Sequence, residues 1–247
     1  MLGLGNSLIS GSPSEQNYSL HFDGTNDYLD TGTDGTAATK SYSFWLKSDV
    51  TVIGNENTGV FGHGSVSAGS FHKDNSSDNH LLFLGSNYIR KWGDPDADNS
   101  TSNNWEANID GEWHHFVVYI EHDDITACKL WIDGYAQTAA TTTSSGSVNT
   151  YGNLRIANAG SHYFDGLIDD FAIFDGELTT SHCAAIYNLG KPFDLNYNRG
   201  DYNVSGDLEG YWRMNDGSGT TVVDSSGEGN NATITNGAVF STDTPDD

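Results

Sequence analysis

The sequence predicts an all-β sandwich with one short helix. Short runs of aromatic and β-branched residues recur along nearly the whole chain, separated by Gly, Asp and Asn. The pair Asp-Gly stands at 23–24, 34–35, 110–111, 133–134, 165–166, 175–176 and 216–217, and both residues tolerate the positive φ that tight turns need. One stretch, Thr179 to Leu189, reads as a helix, with Thr180 or Ser181 as N-cap and Gly190 as the stop. One helix among many strands argues for a sandwich and against an alternating α/β fold.

The strands follow in order. They are expected at Ser19–Phe22, Tyr42–Lys47, Leu81–Leu84, His115–Ile120, Lys129–Ile132, Leu154–Ile156 and Asp170–Phe174. Three long polar connections, 62–80, 92–112 and 136–150, interrupt them, and loops of such length commonly carry function. Residues 1–16 read as an N-terminal arm, 17–190 as the body of the sandwich, and 191–247 as a C-terminal segment.

Composition removes several classes of function. The chain has 247 residues, enough for a sizeable core. It carries 34 Asp and Glu against 10 Lys and Arg, a formal charge of −24. Such a surface repels phosphate backbones and anionic membranes, so no nucleic-acid partner is expected. No apolar stretch has the roughly 20 residues of a spanning helix, so no membrane insertion is expected either. The opening residues show neither a basic region nor a sustained apolar run, and on that ground no secretory leader is expected. Cys128 and Cys183 are read as buried free thiols, with a single bridge as the alternative.

From residue 19 the motifs fall into an ordered set. Ser19-Leu20-His21-Phe22-Asp23-Gly24-Thr25-Asn26-Asp27-Tyr28-Leu29 is followed by Tyr42-Ser43-Phe44-Trp45-Leu46-Lys47. Then come Gly111-Glu112-Trp113-His114-His115-Phe116, Leu130-Trp131-Ile132-Asp133-Gly134, and Phe164-Asp165-Gly166-Leu167-Ile168-Asp169-Asp170-Phe171. Over about 19–190 this resembles the laminin G-like branch of the concanavalin A-like lectin/glucanase superfamily. The resemblance implies a jelly roll of two antiparallel sheets packed face to face. Residues 208–240, with Gly210-Tyr211-Trp212 and Ala232-Thr233-Ile234, are similar to what precedes the Phe-Asp-Gly element in that family. Here it follows the rest of the domain, as it would in a circularly permuted one. Two readings are open: closure of the sandwich in cis beside residues 19–30, or pairing with a neighbouring copy.

Glucanases of the superfamily carry Glu-x-Asp-x-x-Glu or a relative on one strand; no such motif occurs here, nor does Gly-x-Ser-x-Gly, so no enzyme is expected. His114 and His115 are adjacent and face opposite sides of a strand, which makes them packing residues. A zinc site from His63, His72 and His80 would require a convergence that spacing does not provide. The resemblance implies a structural Ca²⁺ between the Phe-Asp-Gly loop and the later acidic strand, which maps onto Asp23, Gly24, Asn26 and Asp169. Asp94, Asp96 and Asp98 begin like an EF-hand loop but lack its Gly and its bidentate Glu. A glycan, if bound, needs a ring to stack on and planar polar partners. The segment with that mix is Tyr88, Arg90, Trp92, Asp94, Asn99, Asn103 and Trp105.

Acidity, the expected lack of a leader and the motif set together resemble lectin-like structural proteins of bacteriophage particles. The expectation is a non-enzymatic protein of the virion surface or tail, contacting cell-surface glycan, with other virion proteins or its own copies as partners. The alternative is a purely structural assembly module without a ligand.

Overall fold

A computed structural model describes residues 17–34, 39–48, 58–64, 70–74, 80–84, 89–92, 111–142 and 152–245. The first strands are β1 (Ser19–Asp23), β2 (Tyr28–Asp34), β3 (Lys40–Ser48), β4 (Thr58–His63), β5 (Ser70–Asp74), β6 (His80–Leu84) and β7 (Ile89–Trp92). Next come β8 (His114–Ile120), β9 (Lys129–Ile132), β10 (Tyr135–Ala136), β11 (Ala139–Thr142), β12 (Asn153–Ile156), β13 (Asn158–Ala159) and β14 (His162–Tyr163). The long β15 (Asp165–Asp175) leads to helix α1 (Thr180–Tyr187), and β16 (Leu208–Trp212), β17 (Thr221–Val222), β18 (Ala232–Thr235) and β19 (Val239–Ser241) close the chain.

These strands make a sandwich of two large antiparallel sheets. Sheet A runs β10-β9-β8-β3-β15-β1-β19, with β16 also paired to β15; sheet B runs β11-β7-β6-β5-β4-β12-β2-β18-β17. Alternation along each strand sends every second side chain between the sheets. There Phe44 stacks on Phe116 at 5.6 Å and on Phe171 at 5.3 Å, while Tyr42 meets Phe61 of the opposite sheet at 4.7 Å. Leu20, Phe22, Leu29, Leu154, Ile156, Trp212 and Ile234 complete this core.

Sheet A buries its other face as well. Val117, Tyr119, Trp131, Ala172 and Phe174 pack beneath Cys183 and Ile186 of α1 and beneath Leu195, Tyr202 and Tyr211. Trp131 donates through Nε1 to Thr180 Oγ1 at 3.1 Å, and the Tyr202 hydroxyl donates to the Leu195 carbonyl at 2.6 Å. Cys128 and Cys183 are free thiols, one in each of these cores.

The C-terminal strands pair within this chain. β18 sets Thr233 against Asp30 and Ile234 against Leu29, β19 sets Leu20 against Phe240, and β16 sets Phe171 against Trp212. An isolated pair of such strands would be marginal in water, and each here covers an edge that would otherwise be open. Asp243 then fastens the end. Its carboxylate accepts from Trp113 Nε1 at 2.8 Å and pairs with Lys47 at 2.7 Å, and its carbonyl accepts from Ser19 Oγ.

The helix begins one residue earlier than the sequence predicts. Thr179, not Thr180 or Ser181, is the N-cap, because its hydroxyl accepts from the His182 amide at 3.2 Å while the His182 ring accepts from the Thr179 amide. It also ends early, since Asn188 and Leu189 both turn left-handed.

Two histidines are buried as neutral bases. The His63 Nδ1–H faces the Gly152 carbonyl at 3.4 Å, which leaves Nε2 to accept from the Tyr42 hydroxyl at 3.0 Å. His115 Nε2 lies 2.9 Å from Ser43 Oγ. Desolvation pushes His63 down to about 4 and His115 down to about 3. Below the ordinary imidazole value the unfolded chain binds protons that the folded chain refuses, so stability falls as pH falls from about 6.5. By pH 4 the loss is about 3 kcal/mol for each group. The melting temperature should therefore decline steeply from pH 6.5 to 4, with the imidazole proton shifts of both residues unchanged down to pH 5. Titration of either ring near 6.5 would contradict this.

Candidate functional site

With both faces of sheet A packed, the outer face of sheet B is the broad sheet surface left for a ligand among the described residues. Its central row is set by register: Thr233 lies beside Asp30, Asp30 beside Arg155, and Arg155 beside Gly62. These side chains point outward because Leu29, Leu154, Ile156 and Ile234, their neighbours in sequence, point into the core. Tyr28 stands one step away, and the Arg155 guanidinium lies over its ring at 4.8 Å. Asp30 Oδ1 accepts from the Gly32 amide at 3.0 Å and from Asn153 Nδ2 at 3.3 Å. Gly62 adds no side chain and is itself buried, so the open part of the row ends at Arg155.

One rim of this face is built up by the β13–β14 hairpin. Asn158 donates to the Gly160 and His162 carbonyls, both at 3.1 Å, and the hairpin presses on β4 at Gly59. A Cβ there would lie 2.6 Å from the Ala159 nitrogen and the His162 carbonyl, so only glycine permits the approach. The result is a tyrosine ring, a guanidinium, a carboxylate, an amide and a hydroxyl on one rigid surface. Convergent planar polar groups beside a ring are the elements that recognise hydroxylated ligands.

Of the residues expected to bind glycan, Tyr88, Asp94, Asn99, Asn103 and Trp105 lie outside the described residues, as do Asp96 and Asp98. Arg90 and Trp92 fall in β7 of this same sheet, with Arg90 paired to Phe83 and Trp92 to Leu81. The sequence reading passed over Tyr28, Asp30, Asn153 and Arg155. A signal was available: Leu154-Arg155-Ile156 places one cation between two core residues, and alternation aims it outward.

The expected calcium ligands are not brought together. In the β1–β15 ladder Asp23 faces Asp165 and Leu20 faces Ile168, which puts Asp169 four steps from Asp23. At roughly 3.3 Å per step they stand about 13 Å apart along the strand. Ca²⁺ holds its oxygens within about 2.6 Å, so this pair cannot share an ion. Each has local work instead. Asp23 Oδ1 accepts from the Thr25 amide at 2.8 Å, and buried Asp169 accepts from the Asp170 amide at 2.8 Å. Gly24 packs against Asp165, and the Asn26 carbonyl accepts from Asn236 Nδ2. Among the described residues no group of three His, Cys, Asp or Glu is placed to hold a metal.

The histidines also serve packing. His63 sits in the inner core, so it cannot join a surface zinc site; the side chains of His72 and His80 lie outside the described residues. His114 Nδ1 lies 2.7 Å from Asp133 Oδ2, and His115 packs its ring 5.0 Å from Trp45. A cavity of about 10 Å³ lies over Ser43, His115 and Asp170 beneath Phe193, room for one water and too small for a sugar ring. Asp169→Ala should lower stability by about 1–3 kcal/mol, the cost of a lost buried acceptor. The drop in melting temperature should be equal in calcium and in chelator; a drop confined to calcium-containing buffer would restore an ion to this residue.

Residues 23–184 match the Laminin_G_3 family model, described as Concanavalin A-like lectin/glucanases superfamily. No curated protein sequence matches the chain. Among solved structures, a candidate carbohydrate-binding protein from Bacteroides ovatus ATCC 8483 superposes with a TM-score of 0.61 at 15% identity, over 93% of this chain and 61% of that one. The heptameric SAP-like pentraxin of Limulus polyphemus gives a TM-score of 0.48 at 12% identity, over 93% of this chain and 96% of that one. At 15% identity the likeness to the Bacteroides protein is one of fold. The match spans about two thirds of the chain and agrees with its two-sheet architecture: the chain belongs to the Laminin_G_3 family of the concanavalin A-like lectin/glucanase superfamily.

Proposed function

We propose that this chain is a non-enzymatic, lectin-like module that contacts glycan through the outer face of sheet B, on the surface or tail of a virus particle. One observation carries the reading. The sheet face left unused by packing bears Tyr28, Asp30, Asn153 and Arg155, a set suited to sugar hydroxyls and ring faces. The fold-level likeness to a candidate carbohydrate-binding protein supports it. The non-enzymatic reading is supported by the same row. A glycosidase needs two carboxyl groups about 5–9.5 Å apart across the substrate; among the described residues the row Thr233–Asp30–Arg155–Gly62 holds Asp30, and Asp34, four residues further along β2, lies opposite Asn153 at the strand's end. Trp92 ends β7 of the same sheet, and residues 93–105 that follow it are proposed as a second part of the contact.

The particle setting, with other virion proteins or further copies as partners, is supported by the strongly acidic composition, which disfavours nucleic-acid and membrane targets. Antibody against the chain should label intact purified particles.

A glycan array on the full chain tests the binding. Tyr28→Ala should weaken the strongest hit by about 1–3 kcal/mol, the cost of losing a contact anchor, with little change in melting temperature because the ring is half-buried on the outside. Loss on Trp105→Ala with Tyr28→Ala unaffected would move the site to the loop. Release of shorter sugars from any bound glycan would overturn the non-enzymatic reading.

A further inference from the structure

We infer that the glycan taken by this face carries a uronic-acid carboxylate that sits on Arg155, a local match made against the long-range repulsion that a net charge of −24 exerts on anions. The inference rests on the glycan-contact reading above and narrows it to one ligand class.

The observation is a guanidinium without a carboxylate. Acids outnumber bases 34 to 10 in this chain, and Lys40, Lys47, Lys129 and Arg213 each lie within 4 Å of one. Lys40 reaches Asp175 at 3.0 Å and Glu209 at 2.6 Å, Lys47 reaches Asp243 at 2.7 Å, and Lys129 reaches Glu177 at 2.6 Å. Arg213 lies 3.6 Å from Asp194 and 3.9 Å from Asp170. Arg155, like exposed Lys191 and Arg199, makes no ion pair among the described residues, and Arg199 likewise lies over a ring, that of Phe193 at 5.4 Å. What sets Arg155 apart is its place: half-buried on the outer face of sheet B, against the face of Tyr28 and between Asp30 and Gly62.

An acid stands directly across from it all the same. Asp30 is the cross-strand neighbour of Arg155, yet the Asp30 Oδ1 is claimed by the Gly32 amide and by Asn153. The turn at Gly32, where φ is +65°, brings that amide back onto the carboxylate. Local chain geometry thus draws one Asp30 oxygen toward its own turn, and Asp30 and Arg155 form no ion pair across the strand.

Guanidinium matches a carboxylate in shape and in charge, through paired N–H donors on a planar fork. The Tyr28 ring, 4.8 Å from the guanidinium carbon, holds the fork in place beforehand, which reduces the ordering cost on binding. A neutral sugar would leave the cation as it is. Asn153 and Thr233, both exposed on the same face, are placed for hydroxyls of the same or the next residue.

The test uses the full chain with alginate and polygalacturonate oligomers, the carboxyl-reduced form of each, and a sulfated galactan oligomer of similar length. A uronate should bind at least about tenfold tighter than its carboxyl-reduced form, the worth of one charge-assisted hydrogen bond. Arg155→Gln should abolish that preference, and Arg155→Lys, which keeps charge but loses the fork, should restore part of it. Equal binding of the uronate and carboxyl-reduced forms, or a preference that survives both variants, overturns the inference and leaves the glycan-contact reading standing. Tighter binding of the sulfated galactan overturns the carboxylate assignment. No binding of any oligomer overturns both. Should Arg155→Gln fail to fold, Arg155→Lys and the reduced oligomers still decide the matter.

Discussion

Strand β15 must be covered on both faces, and much of the molecule follows from that. It pairs with β3 along nearly its whole length and with β1 and β16 on its other side. A register shift between Asp169 and Ala172, with Asp170 at a φ of +46°, changes which residues face inward. Ile168 and Phe171 thus both reach the inner core, while Ala172 and Phe174 reach the outer one. A strand apolar on both sides in a two-layer sandwich needs a third layer. Helix α1 and the segment containing Leu195 and Tyr202 supply it. That cover makes the sandwich asymmetric, and the asymmetry selects sheet B as the face a ligand can reach.

Charge organisation follows the same division. Buried polar groups work as fasteners for the segments that close the sandwich. Asp224 accepts from the Tyr211, Ser226 and Asn230 amides and from the Ser226 hydroxyl, and these bonds hold its carboxyl below the ordinary range despite burial. Asp243 joins Lys47 and Trp113 at the other end. The exposed lysine pairs contribute little each, as surface ion pairs do. The wealth of acids therefore stabilises the fold at a few places and elsewhere sets what can approach the surface.

The sequence made the strands and many turns legible because alternation and Asp-Gly pairs are local signals. Asp133-Gly134 and Asp175-Gly176 turn with glycine at positive φ, as local chemistry requires. Site geometry was harder to read. Tyr28 and Arg155 meet only because β2 and β12 are neighbours, a pairing that joins distant parts of the chain. The spacing of the expected calcium ligands was hidden for the same kind of reason. Family motifs identified Asp23 and Asp169, but their separation is set by register along one ladder, and no motif states a register. The helix cap shifted by one residue because Thr179, Thr180 and Ser181 all offer a hydroxyl, and only the backbone decides which one reaches the His182 amide.

The central claim is that packing leaves sheet B as the binding face. The most direct measurement is amide chemical-shift mapping on the ¹⁵N-labelled chain during titration with a glycan it binds. The account predicts shifts centred on Tyr28–Asp30, Asn153–Ile156 and Thr233, with α1 and the Leu195–Tyr202 cover unchanged. Shifts confined to α1 and that cover, with Tyr28 and Arg155 silent, would contradict it.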